Sequence, residues 1–291
     1  VSILIGENTR LMVQGLGRDG SFHAGRMLRY GTRVVAAVHP GREGETYDGI
    51  PVFNTCRKAV EKTGANCSVI FVPAPFAADA VLEGAHAGAD LVVAVTEGIP
   101  VLDMSRVVNE LDGMGVKLTG PNCPGLISPG ECKVGIMPGG IFEPGPVGVI
   151  SRSGTLTYEI VKRLTAAGFG QSTAIGMGGD PVVGMKYRDY MELFAEDPGT
   201  ELVVMVGEIG GTDEQDAAAF VAETFHKPVV SYIVGRSAPP GKRMGHAGAI
   251  ISGVESTVEA KVEALSRSGI PVAETIEEIV DLVAAGLGGL N

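Results

Sequence analysis

Short, almost wholly apolar runs recur along this chain, and each ends in a turn of glycine, proline or small polar residues. That rhythm constrains it to an α/β fold. In the first half the runs are Leu11-Met12-Val13-Gln14-Gly15, Arg33-Val34-Val35-Ala36-Ala37-Val38, Cys67-Ser68-Val69-Ile70-Phe71-Val72, Leu91-Val92-Val93-Ala94-Val95 and Val116-Lys117-Leu118-Thr119. Near-continuous apolar runs fit strands covered on both faces, as in a parallel sheet. Helical segments fall between them, the first running from the turn after Gly15 to about Tyr30. Ligands bind such sheets beyond the carboxyl ends of the strands. The ends at Pro73-Ala74-Pro75, Thr96-Glu97-Gly98 and Gly120-Pro121-Asn122 therefore define a candidate ligand rim.

A stretch rich in proline and glycine, residues 123–146, reads as an interdomain connection. The same rhythm then restarts, with strands predicted at Val147-Gly148-Val149-Ile150, Thr173-Ala174-Ile175, Leu202-Val203-Val204-Met205-Val206 and Val229-Val230-Ser231-Tyr232-Ile233-Val234. Helices are predicted from Thr155 to Ala167, stopped by Gly168, and from Asp213 to Phe225. Thr275-x-x-Glu278 opens the last helix as a capping-box pattern. With 291 residues, the chain has room for two ordinary domains, placed at 1–122 and 147–291.

A net charge of -11 argues against nonspecific nucleic-acid binding, which needs a basic surface. No apolar run approaches the ~20 residues of a membrane helix, and the opening Val1-Ser2-Ile3-Leu4-Ile5 is too short for a signal peptide. Cys56, Cys67, Cys123 and Cys132 form no CxxC pair and read as reduced thiols, so a cytoplasmic location is expected, or the mitochondrial matrix in a eukaryote. No His/Cys/carboxylate cluster has metal-ligand spacing.

Gly15-Leu16-Gly17-Arg18-Asp19-Gly20 is a GxGxxG turn between strand and helix, suited to a phosphate-bearing cofactor. The second strand ends Val38-His39-Pro40-Gly41-Arg42, with no acid to hold ribose hydroxyls. Arg42 suits an extra phosphate, as on NADP or coenzyme A, and the motif alone does not separate them. Ser153 is a plausible N-cap in Ser151-Arg152-Ser153-Gly154-Thr155, where free N–H groups and the helix dipole favour an anion. Asn122 and Cys123 lie in a second small-residue turn that can offer backbone donors.

The most telling stretch is Gly241-Lys242-Arg243-Met244-Gly245-His246-Ala247-Gly248. His246 is flanked by residues too small to shield its ring, and two cations precede it. This suits a histidine that carries a phosphoryl group as a nucleophile. Taken alone, a histidine in a glycine-rich loop is an ordinary surface residue. Glu208, in Gly207-Glu208-Ile209-Gly210-Gly211 at a strand end, can orient such a histidine and stabilise its protonated form. His23, His39, His86 and His226 have no comparable setting.

These blocks together resemble succinate–CoA ligase (succinyl-CoA synthetase) α subunits over nearly the whole chain. Phe71-Val72-Pro73-Ala74-Pro75-Phe76, Thr96-Glu97-Gly98-Ile99-Pro100, Gly120-Pro121-Asn122-Cys123-Pro124-Gly125, Ser151 to Tyr158, Gly178-Gly179-Asp180-Pro181, Gly207 to Gly211 and Gly241 to Gly253 occur in family order. The resemblance implies a Rossmann-like CoA-binding domain followed by a flavodoxin-like ligase domain. It implies coenzyme A near Gly17, Arg18, Asp19, Arg42, Pro73, Val95, Thr96 and Glu97. It also implies a β partner subunit of ATP-grasp type, which holds Mg2+ and ATP or GTP. His246 matches the phosphorylated histidine, Glu208 the carboxylate that positions it, and Tyr158 a position that helps bind the acid. Asn122, Cys123, Ser153, Gly154 and Thr155 match phosphate-binding turns, with those near Cys123 and Ser153 at helix N-termini. The implied chemistry forms an acyl phosphate, passes its phosphoryl group to or from His246 on a swinging loop, and ends with CoA thiolate attack on the acyl carbon.

The family's first turn usually reads Gly-hydrophobic-Thr-Gly-x-x-Gly. Here Gly15-Leu16-Gly17 is one residue shorter and lacks the threonine. The family's Thr-Pro-Gly-Lys-Gly-Gly becomes His39-Pro40-Gly41-Arg42-Glu43-Gly44, and Gly140 stands where a histidine is frequent. The acid is succinate, malate or another small dicarboxylate. A noncatalytic CoA- or nucleotide-binding regulator and an NADP oxidoreductase are the readings from other classes.

Overall fold

The computed structural model describes residues 2–239 and 241–289 and separates into two compact units. One comprises Leu4–Gly139 with Val182–Gly184; the other comprises Gly140–Pro181 and the chain from Met185, with the residues before Leu4.

The N-terminal unit alternates strands and helices: β1 (Leu11–Gln14), α1 (Arg18–Tyr30), β2 (Val34–Val38), β3 (Thr46–Tyr47), β4 (Ile50–Phe53), α2 (Cys56–Thr63), β5 (Cys67–Ile70), α3 (Ala74–His86), β6 (Leu91–Ala94), α4 (Val101–Leu111) and β7 (Lys117–Thr119). They form a seven-stranded sheet in the order β3-β4-β2-β1-β5-β6-β7, parallel except for the β3–β4 pair. Among its parallel strands the order reverses between β1 and β5, which is the doubly wound Rossmann-like arrangement. β1, β5 and β6 are buried along their whole length, which explains their apolar composition. The sequence reading missed β3 and β4. Pro51 within Ile50–Phe53 interrupts the apolar run, and a two-residue strand has no periodicity to detect.

The GxGxxG turn uses its glycines in three ways. Gly15 sits at φ 91°. A Cβ on Gly20 would lie 1.8 Å from the Gly15 carbonyl oxygen, so helix and turn can pack this closely only with glycine. Gly17 caps α1 and has open space where its Cβ would be, which leaves the helix N-terminus approachable.

Residues 123–146 hold ordered structure: β8 (Gly125–Ser128) and β9 (Cys132–Gly135) form an antiparallel hairpin. It is tied to α1 and the turn after it. Thr32 Oγ1 donates to the Lys133 carbonyl at 2.7 Å, and the Gly130 N–H donates to Tyr30 Oη at 3.1 Å.

The C-terminal unit contains β10 (Pro144–Ser151), α5 (Gly154–Ala166), β11 (Gln171–Gly176), α6 (Tyr187–Glu196), β12 (Leu202–Glu208), α7 (Asp213–Thr224), β13 (Val229–Val234), α8 (Val258–Arg267), β14 (Val272–Ala273) and α9 (Ile276–Gly288). Its strands are parallel and ordered β14-β13-β12-β10-β11, the flavodoxin-like order. The reversal falls between β10 and β12, where Ser151 pairs with Val206. Gly168, at φ 88°, follows α5 as predicted. At α9 the capping box is only half formed. Thr275 Oγ1 accepts from the Glu278 N–H, but Glu278 Oε2 reaches the N–H of Glu274 instead of Thr275.

Candidate active site

The crevice at the β10/β12 reversal is where an open α/β sheet is expected to bind ligand, and there the structure joins His246 to Glu208. Nδ1 of His246 is 2.8 Å from Oε2 and 3.0 Å from Oε1 of Glu208. A carboxylate only accepts, so Nδ1 carries a proton and donates. The lone pair of the neutral ring then resides on Nε2. Glu208, the last residue of β12, is buried, and the His246 side chain retains 28% exposure. The ring is therefore less open than its small neighbours imply. Its hydrogen bond to Glu208 raises the His246 pKa above 6.5. Burial and the charge of Arg152 work against that rise, and the charges of Glu208 and Asp180 work with it.

Glycines bring the histidine loop this close. The Gly248 N–H donates to the Gly179 carbonyl at 2.9 Å, and the Ala249 N–H to the His246 carbonyl at 3.2 Å. A Cβ on Gly179 would lie 2.2 Å from His246 Cγ. One on Gly210 would lie 2.0 Å from the Gly248 carbonyl oxygen. Lys242 and Arg243, the cations before the histidine, are exposed.

Ser153 caps α5, its Oγ accepting from the Leu156 N–H at 3.3 Å. The N–H groups of Gly154 and Thr155 begin the helix and have no acceptor within it. Tyr158 is half-buried on α5. Arg152, beside the cap, is 7% exposed, pairs with Asp213 and lies 6.0 Å from the centre of the Tyr187 ring. Its Nε has no partner among the described residues. Sequence reasoning assigned no role to Arg152, Asp213 or Gly179. Arg152 and Gly179 lie within the recognised blocks Ser151–Tyr158 and Gly178–Pro181, which was the available signal.

In the N-terminal unit, the carboxyl ends of β1, β2 and β5 enclose a cavity of about 410 Å³, whose wall includes Gly15, Val38, Pro40, Val72, Pro73 and Phe76. Pro73 caps α3. Val95 and Thr96 are half-buried, and Glu97 is exposed. Thr96 Oγ1 donates to the Val72 carbonyl at 2.7 Å, joining two strand ends. Arg18 and Asp19 form an exposed ion pair in the first turn of α1. Arg42 is 2.7 Å from Glu45, and Glu43 is neutralised by Lys58 at 2.8 Å.

One feature of the family reading is corrected: no helix begins at Cys123. Asn122 adopts a left-handed φ of 55°, and Cys123 is buried with Sγ turned to the Ala94 carbonyl at 3.2 Å. Strand β8 follows, because Gly125 packs against the Val134 backbone too closely for any side chain.

The chain matches the CoA binding domain over residues 6–98 and the CoA-ligase domain over residues 150–270. It is 56% identical, over 98% of its length, to the succinate–CoA ligase [ADP-forming] subunit alpha of Aquifex aeolicus, covering 94% of that protein. The chain belongs to the succinate–CoA ligase α-subunit family. A Staphylococcus epidermidis member, also named succinate–CoA ligase [ADP-forming] subunit alpha, is 54% identical over 96% of this chain and 93% of its own length. Among solved structures, ATP citrate lyase from Methanosaeta concilii superposes with a TM-score of 0.90 at 23% identity. The match covers 99% of this chain and 51% of that one. A dinucleotide-forming acetyl-coenzyme A synthetase 1 from Ca. Korarchaeum cryptofilum gives 0.77 at 20% identity, covering 96% of this chain and 61% of its own. Both likenesses concern the fold. As a family member the chain has the CoA binding domain around Gly17, Arg42, Pro73, Val95 and Thr96, and the CoA-ligase domain around Ser153, Glu208 and His246. Asn122 and Cys123 fall between the two matched regions.

Among the described residues, no helix is long and apolar enough to cross a membrane, and no group of three or more His, Cys, Asp or Glu is placed to hold a metal ion.

Proposed function

We propose that this chain, with a β partner subunit, interconverts succinate, CoA and ATP with succinyl-CoA, ADP and phosphate through a phosphohistidine at His246. The observation that carries the mechanism is the Glu208–Nδ1 contact, which leaves Nε2 as the reactive nitrogen. In the direction of succinyl-CoA synthesis, the γ-phosphoryl group of ATP passes to Nε2 with release of ADP; a carboxylate oxygen of succinate then attacks the phosphorus, the N–P bond breaks, and succinyl phosphate forms. The Nδ1 proton stays between the ring and Glu208, and the carboxylate offsets the positive charge that grows on the imidazole. The N–H groups at the start of α5, which have no acceptor within the helix, favour the phosphoryl oxygens, with Ser153 as cap. The CoA thiolate forms the thioester carbon–sulfur bond as phosphate leaves the acyl carbon.

The N-terminal cavity and the open helix start at Gly17 fit CoA as the thiol substrate. A largely apolar wall and a helix start with no side chain over it suit a nucleotide with a pyrophosphate. Arg18, Arg42, Val95, Thr96 and Glu97 are assigned to the same ligand, and Tyr158 to the carboxylic acid. The nucleotide and Mg2+ are assigned to the β subunit, of ATP-grasp type. The relatives named above are bacterial, and a cytoplasmic reaction is the corresponding reading.

The chain, co-expressed with its β partner, should take label from [γ-32P]ATP in the presence of Mg2+. The phosphate should be acid-labile and base-stable, map to His246, and discharge with CoA plus succinate. Discharge by malate instead would rename the acid. No label in the presence of a competent β subunit would overturn the mechanism in favour of a regulatory, ligand-binding role.

A further inference from the structure

Beneath Glu208 lies an ion pair that takes no part in the chemistry above. Glu214, in the first turn of α7, and Lys261, on α8, contact each other with neither side chain exposed. Each also holds the chain on one side of Glu208. Glu214 Oε1 accepts the Glu208 N–H at 3.2 Å, and Lys261 Nζ donates to the Gly210 carbonyl at 2.7 Å. Residue 207 must be glycine for this arrangement, since a Cβ there would lie 2.6 Å from Glu214 Oε1. Gly210 in turn sits directly against the histidine loop at Gly248.

We propose that the Glu214–Lys261 pair is the positioning device for Glu208, fixing the end of β12 so that its carboxylate meets His246 Nδ1. The proposal rests on the phosphohistidine reading of that site. Stability alone is a weak reason for such a pair, because well-packed apolar residues of similar volume often replace a buried ion pair at no cost. What apolar residues cannot supply is an acceptor for the Glu208 N–H together with a donor for the Gly210 carbonyl. A carboxylate displaced by a fraction of an ångström would no longer reach Nδ1 with both oxygens.

The test compares Glu214→Gln/Lys261→Met, which keeps the acceptor and loses the ammonium, with Glu214→Met/Lys261→Met, which loses both tethers. Both replacements remove one positive and one negative charge, so the field at His246 changes little. The other charged groups around that ring are retained: Glu208 on β12, Arg152 after β10, Asp180 after β11, and Lys242 and Arg243 on its own loop. Two quantities are read on the chain in complex with its partner subunit. They are the His246 titration by NMR and the rate of 32P uptake from ATP.

The double-Met variant should melt below the wild type, since two backbone groups lose their partners, titrate His246 at lower pH and, per folded molecule, take up phosphate about 10–100-fold more slowly, the scale of loss when a reacting group is misplaced. The Gln/Met variant should fall between it and the wild type, and it decides the matter if the double-Met chain does not fold. Folded variants with wild-type titration and uptake would overturn the proposal and leave the pair purely structural. A wild-type chain that takes no label would instead sink the phosphohistidine reading, and the NMR titration would still test the positioning.

Discussion

His246 and Glu208, separated by 38 positions in the chain, meet with Nδ1 within 3.0 Å of both carboxylate oxygens. That single contact sets the tautomer of the histidine, raises its basicity and leaves the lone pair on Nε2.

Replacing Glu208 with Gln should separate basicity from orientation. The hydrogen bond to the carboxylate is the main cause of the raised His246 pKa. Its loss should move the acid limb of the phosphorylation profile to lower pH. The plateau should fall about 100-fold, because a neutral amide cannot offset charge on the imidazole. Rapid-quench labelling across pH 5–9 reads both effects.

Protonated His246 also stabilises the fold. Because its folded pKa is raised, that contribution is complete below the unfolded value and is lost as pH rises through the folded one. The melting temperature of wild type minus that of His246→Asn should be more positive at pH 6 than at pH 9. Calorimetry at the two pH values checks the sign.

Gly179→Ala places a methyl group 2.2 Å from His246 Cγ, so the ring must move. Gly179 is buried in the turn after β11, so overpacking should cost about 1–3 kcal/mol. Phosphate uptake should fall about 10–100-fold, more than the loss of folded protein explains. Melting curves and label uptake on the same preparation separate the two.

Two glycines of one turn should behave oppositely. Gly17→Ala meets open space in the free chain, and its melting temperature should stay near wild type while CoA affinity falls. Gly20→Ala collides with the Gly15 carbonyl and should destabilise by about 1–3 kcal/mol or more. Calorimetric titration of CoA into the complex, beside a thermal melt, distinguishes them.

Much of this was legible in the linear chain. Strands buried on both faces must be apolar throughout, so β1, β2, β5, β6, β10, β12 and β13 declared themselves. Gly15 and Gly168 marked turns because their backbones lie at positive φ, and Gly20 marked the close packing of α1 on that turn. The family blocks singled out Glu208 and His246 without coordinates. Short or proline-bearing strands such as β3 and β4 carried no period to read. The hairpin at Gly125–Ser128 and Cys132–Gly135 was hidden by a composition that also suits a linker.

The sequence by itself determined the α/β class and the helix N-termini at Gly17 and Ser153, and its resemblance to the family singled out His246 and Glu208. The class and the helix starts follow from local sterics and from which residue types can be buried. Only the tertiary structure decided which nitrogen of His246 is held, how far its ring is covered, and that Cys123 leads into a strand. It also placed Arg152 against Asp213 and the Glu214–Lys261 pair beneath Glu208. Those facts depend on residues far apart in the chain meeting within hydrogen-bond distance, where a shift of an ångström changes the partner and no local pattern records it.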